Sequence, residues 1–192
     1  MTARDKPFTV ADLDALQALP ENRDKRFELI EGIIFEMPTG TLKHAYIIGQ
    51  IFGYLWQFVN QRRLGMVFPD GATYVLSDED EFVPDVSFIS TARFQGLGQK
   101  QYGPPDLAVE VISPSNHPLD MLFKIERYFH FGTQEVWLVY ADERVVYVYR
   151  PEPDGSLNLR KIPTDGTLTD SIVLPGFSLA IQSIFPTEQD AN

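Results

Sequence analysis

The chain has 192 residues, which favours one domain, since domains typically hold roughly 100–200 residues. Sixteen Lys and Arg stand against 27 Asp and Glu, a net charge of −11. This balance argues against broad, non-specific nucleic-acid binding, although a local basic groove remains compatible with it. The absence of cysteine excludes disulfides and thiolate metal sites. No apolar run resembles a signal peptide or approaches the ~20 residues that span a bilayer, so we expect a cytoplasmic protein without membrane contact.

The first half of the chain alternates helix and strand patterns. In chain order, it predicts a helix over 10–16, a hairpin over 27–37 that turns near Gly32, and a long helix over 43–63. Thr9 is a capping residue for the first helix, and Gly65 follows the long one. The strands predicted next are 67–68, 73–76, 83–89 and 107–112. Between them we expect a solvated acidic loop over 78–81 and a mobile connection over 92–103.

The second half predicts a crossover and a sheet edge. Pro118 suits the first position of a helix that ends at Phe131, and a strand over 135–140 follows. A strand, a helix and a strand in this order are expected to form a parallel pair. The strand over 144–150 should pair antiparallel, and 157–162 and 172–174 can extend the edge. We therefore expect an α/β fold, a mixed central sheet flanked by helices, in a single domain over 1–192 with a disordered tail over 186–192.

Glu110 is a carboxylate inside an apolar strand. The run Leu107–Ile112 is otherwise aliphatic, as a strand covered on both faces requires. Burying an ionised carboxylate costs several kcal/mol unless the group is paired or bound to a metal. A metal ion, a cation or a structural hydrogen bond must therefore compensate for this residue.

Asp85 supplies a second carboxylate in an apolar strand. If its strand neighbours that of Glu110, the two acids lie side by side and repel each other unless a cation is present. Mg²⁺ and Mn²⁺ take oxygen ligands and suit such a pair. Asp106 repeats the Pro-Asp dipeptide, but it precedes Glu110 on the same strand by ~13 Å, too far for one ion to bridge both.

Lys124 is the predicted third member of the site. Glu110 lies roughly 10 Å before the end of its strand, and Lys124 lies roughly 9 Å into the helix that returns over the sheet. The two residues therefore fall at about the same level. Asp120, Lys124 and Tyr128 share one helix face. A lysine in this place can stabilise a pentavalent phosphate or orient an attacking water.

The residues alone leave alternatives open. Glu110 can form a buried structural ion pair with Lys124 or an arginine, Asp85 can belong to turn chemistry at a strand start, and Lys124 can be a solvated helix lysine. Three further residues are possible members of the site: Glu28 and Glu31 in the hairpin, and His44 at the start of the long helix.

A Pro-Asp strand, a second strand carrying Glu and then a lysine resemble the PD-(D/E)xK nuclease superfamily. Over about residues 8–185 the chain more closely resembles the Uma-two family of restriction-endonuclease-like proteins. The segments that carry this resemblance are Phe27–Gly32, His44, Pro84–Val86, Val109–Ser115, Asp120 with Lys124 and Tyr128, Glu135–Val139, and Leu174–Phe177.

The resemblance implies a restriction-endonuclease-like core and a divalent-metal phosphodiesterase site. In that site Asp85 and Glu110 bind Mg²⁺ or Mn²⁺, Lys124 stabilises the transition state, and Glu31 or Glu28 is a further acid. The superfamily's short motif has its lysine two residues after the glutamate, and this chain has isoleucine there. The family moves the lysine to the next helix.

Three functions compete at this point. The leading hypothesis is a Mg²⁺-dependent endonuclease that hydrolyses DNA phosphodiesters by metal-activated water, as a homodimer because cutting both strands needs two sites. The second is a non-catalytic binding or assembly module that retains the nuclease fold. A glycosidase is the third, since paired carboxylates also serve that chemistry, but a metal requirement would argue against it.

Overall fold

The computed structural model describes residues 6–112 and 118–187, with side chains throughout these ranges except at residues 118–120. The helices are α1 (Val10–Gln17), α2 (Leu42–Arg62) and α3 (Pro118–His130), with 3₁₀ turns at Pro20–Asn22 and Ile181–Ile184. The strands are β1 (Phe27–Ile30), β2 (Ile33–Glu36), β3 (Gly65–Pro69), β4 (Tyr74–Ser77), β5 (Asp80–Phe82), β6 (Val86–Ser90), β7 (Gln101–Tyr102), β8 (Leu107–Ile112), β9 (Glu135–Tyr140), β10 (Val145–Pro151), β11 (Leu157–Ile162), β12 (Thr167–Leu168) and β13 (Leu179–Ala180).

Local sequence determines the N-terminal elements. Thr9 caps α1 through a capping box with Asp12, as its position predicts. The β1–β2 hairpin turns through Glu31 and Gly32, with φ angles of 50° and 71°. Positive φ at both central residues is the geometry of a type I′ turn. A Cβ at Gly32 would lie 2.3 Å from the Cβ of Pro7, so the chain requires glycine there for space as well as for conformation.

A mixed six-stranded sheet, called here the large sheet, has the strand order β11-β10-β9-β8-β6-β3. β8 and β9 are parallel and are connected through α3, as the predicted crossover requires, and β10 pairs antiparallel with β9. β11 extends the edge as predicted. The predicted strand over 172–174 is wrong, because Leu174 and Phe177 enter the core around a turn in which the Phe177 N–H donates to the Leu174 carbonyl.

A second sheet has the strand order β2-β1-β5-β4-β7. Two segments predicted as loops contribute strands to it. The predicted solvated loop over 78–81 is wrong for Asp80 and Glu81, which are buried in or beside β5. Both acids are ion-paired, Asp80 with Arg127 and Glu81 with Lys100, and these partners make burial tolerable. The predicted connection over 92–103 contains β7, which pairs parallel with β4.

Both faces of β8 are covered, which explains its continuous apolar sequence. Leu107, Val109 and Val111 face the core formed with α2. Ala108 packs with the apolar side of α3. Glu110 alternates with the first set and therefore faces the α3 side of the sheet.

Some predictions fall outside the described ranges: the strand end at 114–116, the side chain of Asp120, and residues 188–192 of the predicted tail. Within that tail, the carbonyl of Pro186 accepts a hydrogen bond of 2.8 Å from Arg144 Nη1. In the part of the chain that the structure describes, no helix combines the length and apolarity needed to cross a membrane.

Candidate active site

The register of β6 and β8 brings Asp85 opposite Glu110. The strands are antiparallel with Val86 paired to Val109, so the residue before Val86 faces the residue after Val109. Asp85 Oδ2 also accepts a hydrogen bond of 2.6 Å from the backbone N–H of Val111. Both acids are only 6% exposed. The structure thus brings together the two carboxylates that the sequence singles out.

Lys124 reaches the same point from α3. Its Nζ lies 2.9 Å from Glu110 Oε1 and 2.8 Å from each carboxylate oxygen of Glu28. At 4% exposure, Lys124 is not the solvated helix lysine of the alternative interpretation. Glu28 lies on β1 and accepts a further hydrogen bond of 2.6 Å from the backbone N–H of Val83. The ammonium group therefore connects the two sheets through one acid from each.

The site carries more buried negative charge than its lysine can balance. Burial raises the pKa of Glu110 to about 8; Lys124 opposes this rise, and the nearby Glu28 and Asp85 add to it. Burial lowers the pKa of Lys124, but Glu110 and Glu28 outweigh burial and hold that pKa above its usual value. In the absence of a further cation, burial and the neighbouring carboxylates therefore favour the protonated form of Glu110.

His44 contacts Asp85 and the backbone of Val111 from the start of α2. Its Nε2 lies 3.1 Å from the Val111 carbonyl oxygen and 3.4 Å from Asp85 Oδ2. The hydrogen bond with Asp85 raises the pKa of His44, although partial burial opposes it. Thr41 caps α2 by accepting from the His44 backbone N–H, which fixes the position of this residue. The carboxylate of Asp85 and the carbonyl of Val111 thus converge on one point.

A cavity of about 560 Å³ gives access to these groups. Its polar wall includes Glu28, Asp85, Glu110, Lys124 and His44. The remaining wall is largely apolar and includes Ile30, Phe35, Met37, Ile112 and Met121, and Arg26 and Lys43 also line it. The two basic residues are paired with Asp70 and Asp142.

Two acids considered from the sequence lie elsewhere. The Glu31 side chain is 55% exposed and 3.3 Å from Arg127, so the structure does not bring it to the acid pair. Asp106 accepts from the Ser90 backbone N–H at 2.6 Å and from the Gln134 side chain at 2.8 Å. Asp106 therefore holds a strand end in place, away from Glu110.

Sequence reasoning placed Tyr128 on the helix face of Lys124 without giving it a role, and it did not identify Val111. Tyr128 is fully buried and donates a hydrogen bond of 2.9 Å to Glu110 Oε1. Burial raises its pKa well above the usual value, so it remains a donor. Its position four residues after Lys124, on the same helix face, was the signal that could have assigned it. Val111 contributes backbone atoms alone, and side-chain patterns carry no signal for those.

The oxygen atoms that could act as metal ligands in this site suit a hard divalent cation. Carboxylate oxygens of Asp85 and Glu110 and the carbonyl of Val111 are the ligand type that Mg²⁺ prefers, and Mg²⁺ commonly needs only one or two protein carboxylates beside water. The buried surplus of negative charge favours the same ion. Within residues 6–112 and 118–187, no three His, Cys, Asp or Glu side chains converge closely enough to hold a metal by themselves. Water or substrate oxygens would have to complete the coordination.

Comparison with known proteins identifies the family and the fold. A family model, "Uma2: Putative restriction endonuclease", matches residues 12–182. The chain belongs to the Uma2 family. A solved structure of "a putative nuclease belonging to DUF820 from Anabaena variabilis ATCC 29413" is similar, with a TM-score of 0.79 and 25% identity over 93% of this chain and 98% of that one. The predicted family and fold class are thereby confirmed. No match was found among curated proteins.

Proposed function

We propose that this Uma2 protein is a divalent-metal-dependent endonuclease that hydrolyses DNA phosphodiester bonds. The observation that carries the proposal is a set of buried charged groups on the wall of a cavity: Lys124 pairs with Glu28 and Glu110, and Asp85 lies opposite Glu110 on the neighbouring chain segment. The family description as a restriction endonuclease and the similarity to an Anabaena protein described as a nuclease support it.

Asp85 and Glu110 are the proposed ligands of Mg²⁺ or Mn²⁺, together with the carbonyl of Val111. When bound, the cation lowers the pKa of a water ligand and polarises a phosphoryl oxygen. Glu110 must first release its proton, because its pKa lies at about 8 without the cation. Asp85 is held for this role by the Val111 backbone N–H.

Lys124 and His44 have separate proposed roles. Glu28 holds the Lys124 ammonium through both carboxylate oxygens, which fixes the charge at the cavity wall. The positive charge of the Lys124 ammonium group, fixed in this place, would stabilise the negative charge that develops on phosphorus-bound oxygens during cleavage. His44 lines the same cavity and is a candidate for giving a proton to the leaving oxygen.

Residues 6–112 and 118–187 of each chain contain one such site. Cleavage of both strands of a duplex would need two chains, which is the reason for expecting a homodimer. The net charge of −11 argues against extended contacts with the phosphate backbone of DNA, so the protein would have to bind DNA over a limited surface.

Cleavage of supercoiled plasmid in Mg²⁺ tests the proposal. Asp85→Asn and Glu110→Gln should each lose more than the roughly 10–100-fold typical of residues that only orient a metal ligand. Asp106→Asn is the matched control, because Asp106 also follows proline, is 3% exposed and lies outside the cavity lining. Its folded fraction should keep wild-type activity. Cleavage that survives in both site variants would sink the proposal.

A non-catalytic module remains the second candidate, and one observation favours it. Lys124 and His44 already contact the acids, so part of the buried charge is compensated without a metal. Titration calorimetry distinguishes the two functions. No heat with Mg²⁺ or Mn²⁺, and no change in stability on adding a chelator, would favour the module.

A further inference from the structure

The outer face of α2 carries no charge. Between Lys43 and Arg62 the sequence contains no Asp, Glu, Lys or Arg. The inner face packs on the large sheet through Ile47, Ile48, Ile51, Leu55 and Val59. The opposite face, all of it exposed, consists of Leu42, Tyr46, Gly49, Gly53, Trp56, Gln57 and Asn60. Because the solvent side of a surface helix normally carries charged residues, this face is unusual in a chain with a net charge of −11.

Large apolar side chains are exposed along this face. Leu42 is 91% exposed, Trp56 is 50% exposed, and Tyr46 and the adjacent Tyr54 are each 38% exposed. Single exposed apolar residues need no explanation, but a contiguous row along one helix indicates an interaction surface. The exposed parts of the three aromatic side chains amount to roughly 250 Å² per chain.

Gly49 and Gly53 have no internal reason to be glycine. Apart from proline, glycine is the least favourable residue in a helix interior. A Cβ at either position would meet no atom within 4 Å, so packing inside the chain does not require the missing side chain. Between Tyr46 and Trp56 the two glycines instead leave a notch that faces outward.

On the outer face, large and small residues are arranged symmetrically in sequence about position 51. Tyr46 and Trp56 lie five residues to either side of it, and Gly49 and Gly53 lie two residues to either side. In an antiparallel pair of identical helices, Tyr46 therefore comes opposite the partner's Trp56, and Gly49 comes opposite the partner's Gly53. A two-fold symmetric contact requires this kind of self-complementarity.

We propose that the outer face of α2 is a homodimer interface, in which α2 packs antiparallel against α2 of a second copy and the two helices cross at the level of Ile51, whose own side chain is buried on the inner face. The notch lets the helix backbones approach closely, and the aromatic side chains of the two copies cover its ends. Two chains of net charge −11 repel each other, so an uncharged face is where they can meet. Nucleic acid does not suit this face, because no Lys or Arg lies between residues 44 and 61. The modest aromatic area predicts a weak, reversible dimer and not an obligate one, so micromolar concentrations are the range to test.

Sedimentation equilibrium of the full chain between about 1 and 100 µM tests the proposal across that range. The wild type should change from monomer to dimer. Trp56→Glu should remain monomeric with an unchanged urea midpoint, since the residue is half exposed. Leu159→Glu is the matched control, because Leu159 is an equally exposed apolar residue on β11, and it should dimerise as the wild type does.

Gly53→Ala gives a second test, because it should make the monomer more stable and the dimer less stable. Alanine should raise the thermal midpoint of the monomer because it favours the helix, yet raise the dissociation constant at least tenfold because it fills the notch. A wild type that is monomeric throughout, or association unchanged in both Trp56→Glu and Gly53→Ala, would overturn the interface. A monomer that floats with phosphatidylcholine vesicles would also overturn it in favour of a lipid surface. None of these readouts depends on nuclease activity.

Discussion

Glu110→Gln separates the charge of the buried carboxyl from its shape. Burial raises the pKa of Glu110 to about 8 in the folded protein. In the unfolded chain a glutamate titrates near ~4.3. Glutamine is always neutral, but it keeps an oxygen that can accept from Lys124 and Tyr128, whose donor atoms each lie 2.9 Å from Glu110 Oε1.

The direction of the pH dependence follows from these two pKa values. At pH values between these two pKa values, Glu110 holds a proton in the folded state that it has released in the unfolded state. The contribution of Glu110 to the stability of the wild type therefore falls as pH rises toward 8. The slope for one proton is about 1.4 kcal/mol per pH unit. The variant lacks this contribution. Its free energy of unfolding should therefore rise relative to the wild type by roughly 2–3 kcal/mol between pH 5.5 and 7.5.

Urea unfolding in EDTA at about pH 5.5, 6.5 and 7.5 measures this difference. His44, whose pKa is raised by its hydrogen bond with Asp85, is present in both proteins, so its contribution largely cancels in the difference. A difference between variant and wild type that stays flat across the three pH values would refute the reasoning. So would a variant that becomes relatively less stable as pH rises.

Three further predictions concern stability and titration. Arg127→Met leaves Asp80, which is fully buried, without its charged partner, and should cost about 3 kcal/mol in urea unfolding; a loss below ~1 kcal/mol would contradict this. Thr9→Ala removes the α1 cap and should cost ~1 kcal/mol by the same assay, and no loss would show that the cap is not stabilising. Asp85→Asn should lower the pKa of His44 in an NMR titration, whereas an unchanged pKa would exclude the hydrogen bond as its cause.

Much of the fold follows from local sequence. The apolar periodicity of α2, the cap at Thr9 and the strand–helix–strand pattern around α3 each depend on neighbouring residues, and each is found where it is predicted. The prediction of a strand over 172–174 was wrong because a short apolar run is also compatible with a turn whose side chains pack in the core. Its apolar character alone does not distinguish the two.

The acids of the candidate site were predictable because carboxylates are out of place in apolar segments; Glu110 lies inside β8, whereas Asp85 directly precedes β6. The position of Lys124 was predicted by comparing distances along the strand of Glu110 and along the helix that returns over it. The contact between Lys124 and Glu110 shows that the two residues lie at the same level, as expected. The pairing of Lys124 with Glu28 joins residues 96 positions apart and has no local signal. The burial of Asp80 likewise depends on Arg127, 47 positions away, so the acidic run resembled an ordinary solvated loop.

Crystals soaked in Mn²⁺ give the most direct test of the proposed metal site. The anomalous difference map should show one peak in contact with carboxylate oxygens of both Asp85 and Glu110, with Lys124 still on the cavity wall. The peak should be absent from Asp85→Asn crystals soaked in the same way. No peak at the acid pair in the wild type, or a peak that persists unchanged in the variant, would contradict the assignment of these carboxylates as metal ligands.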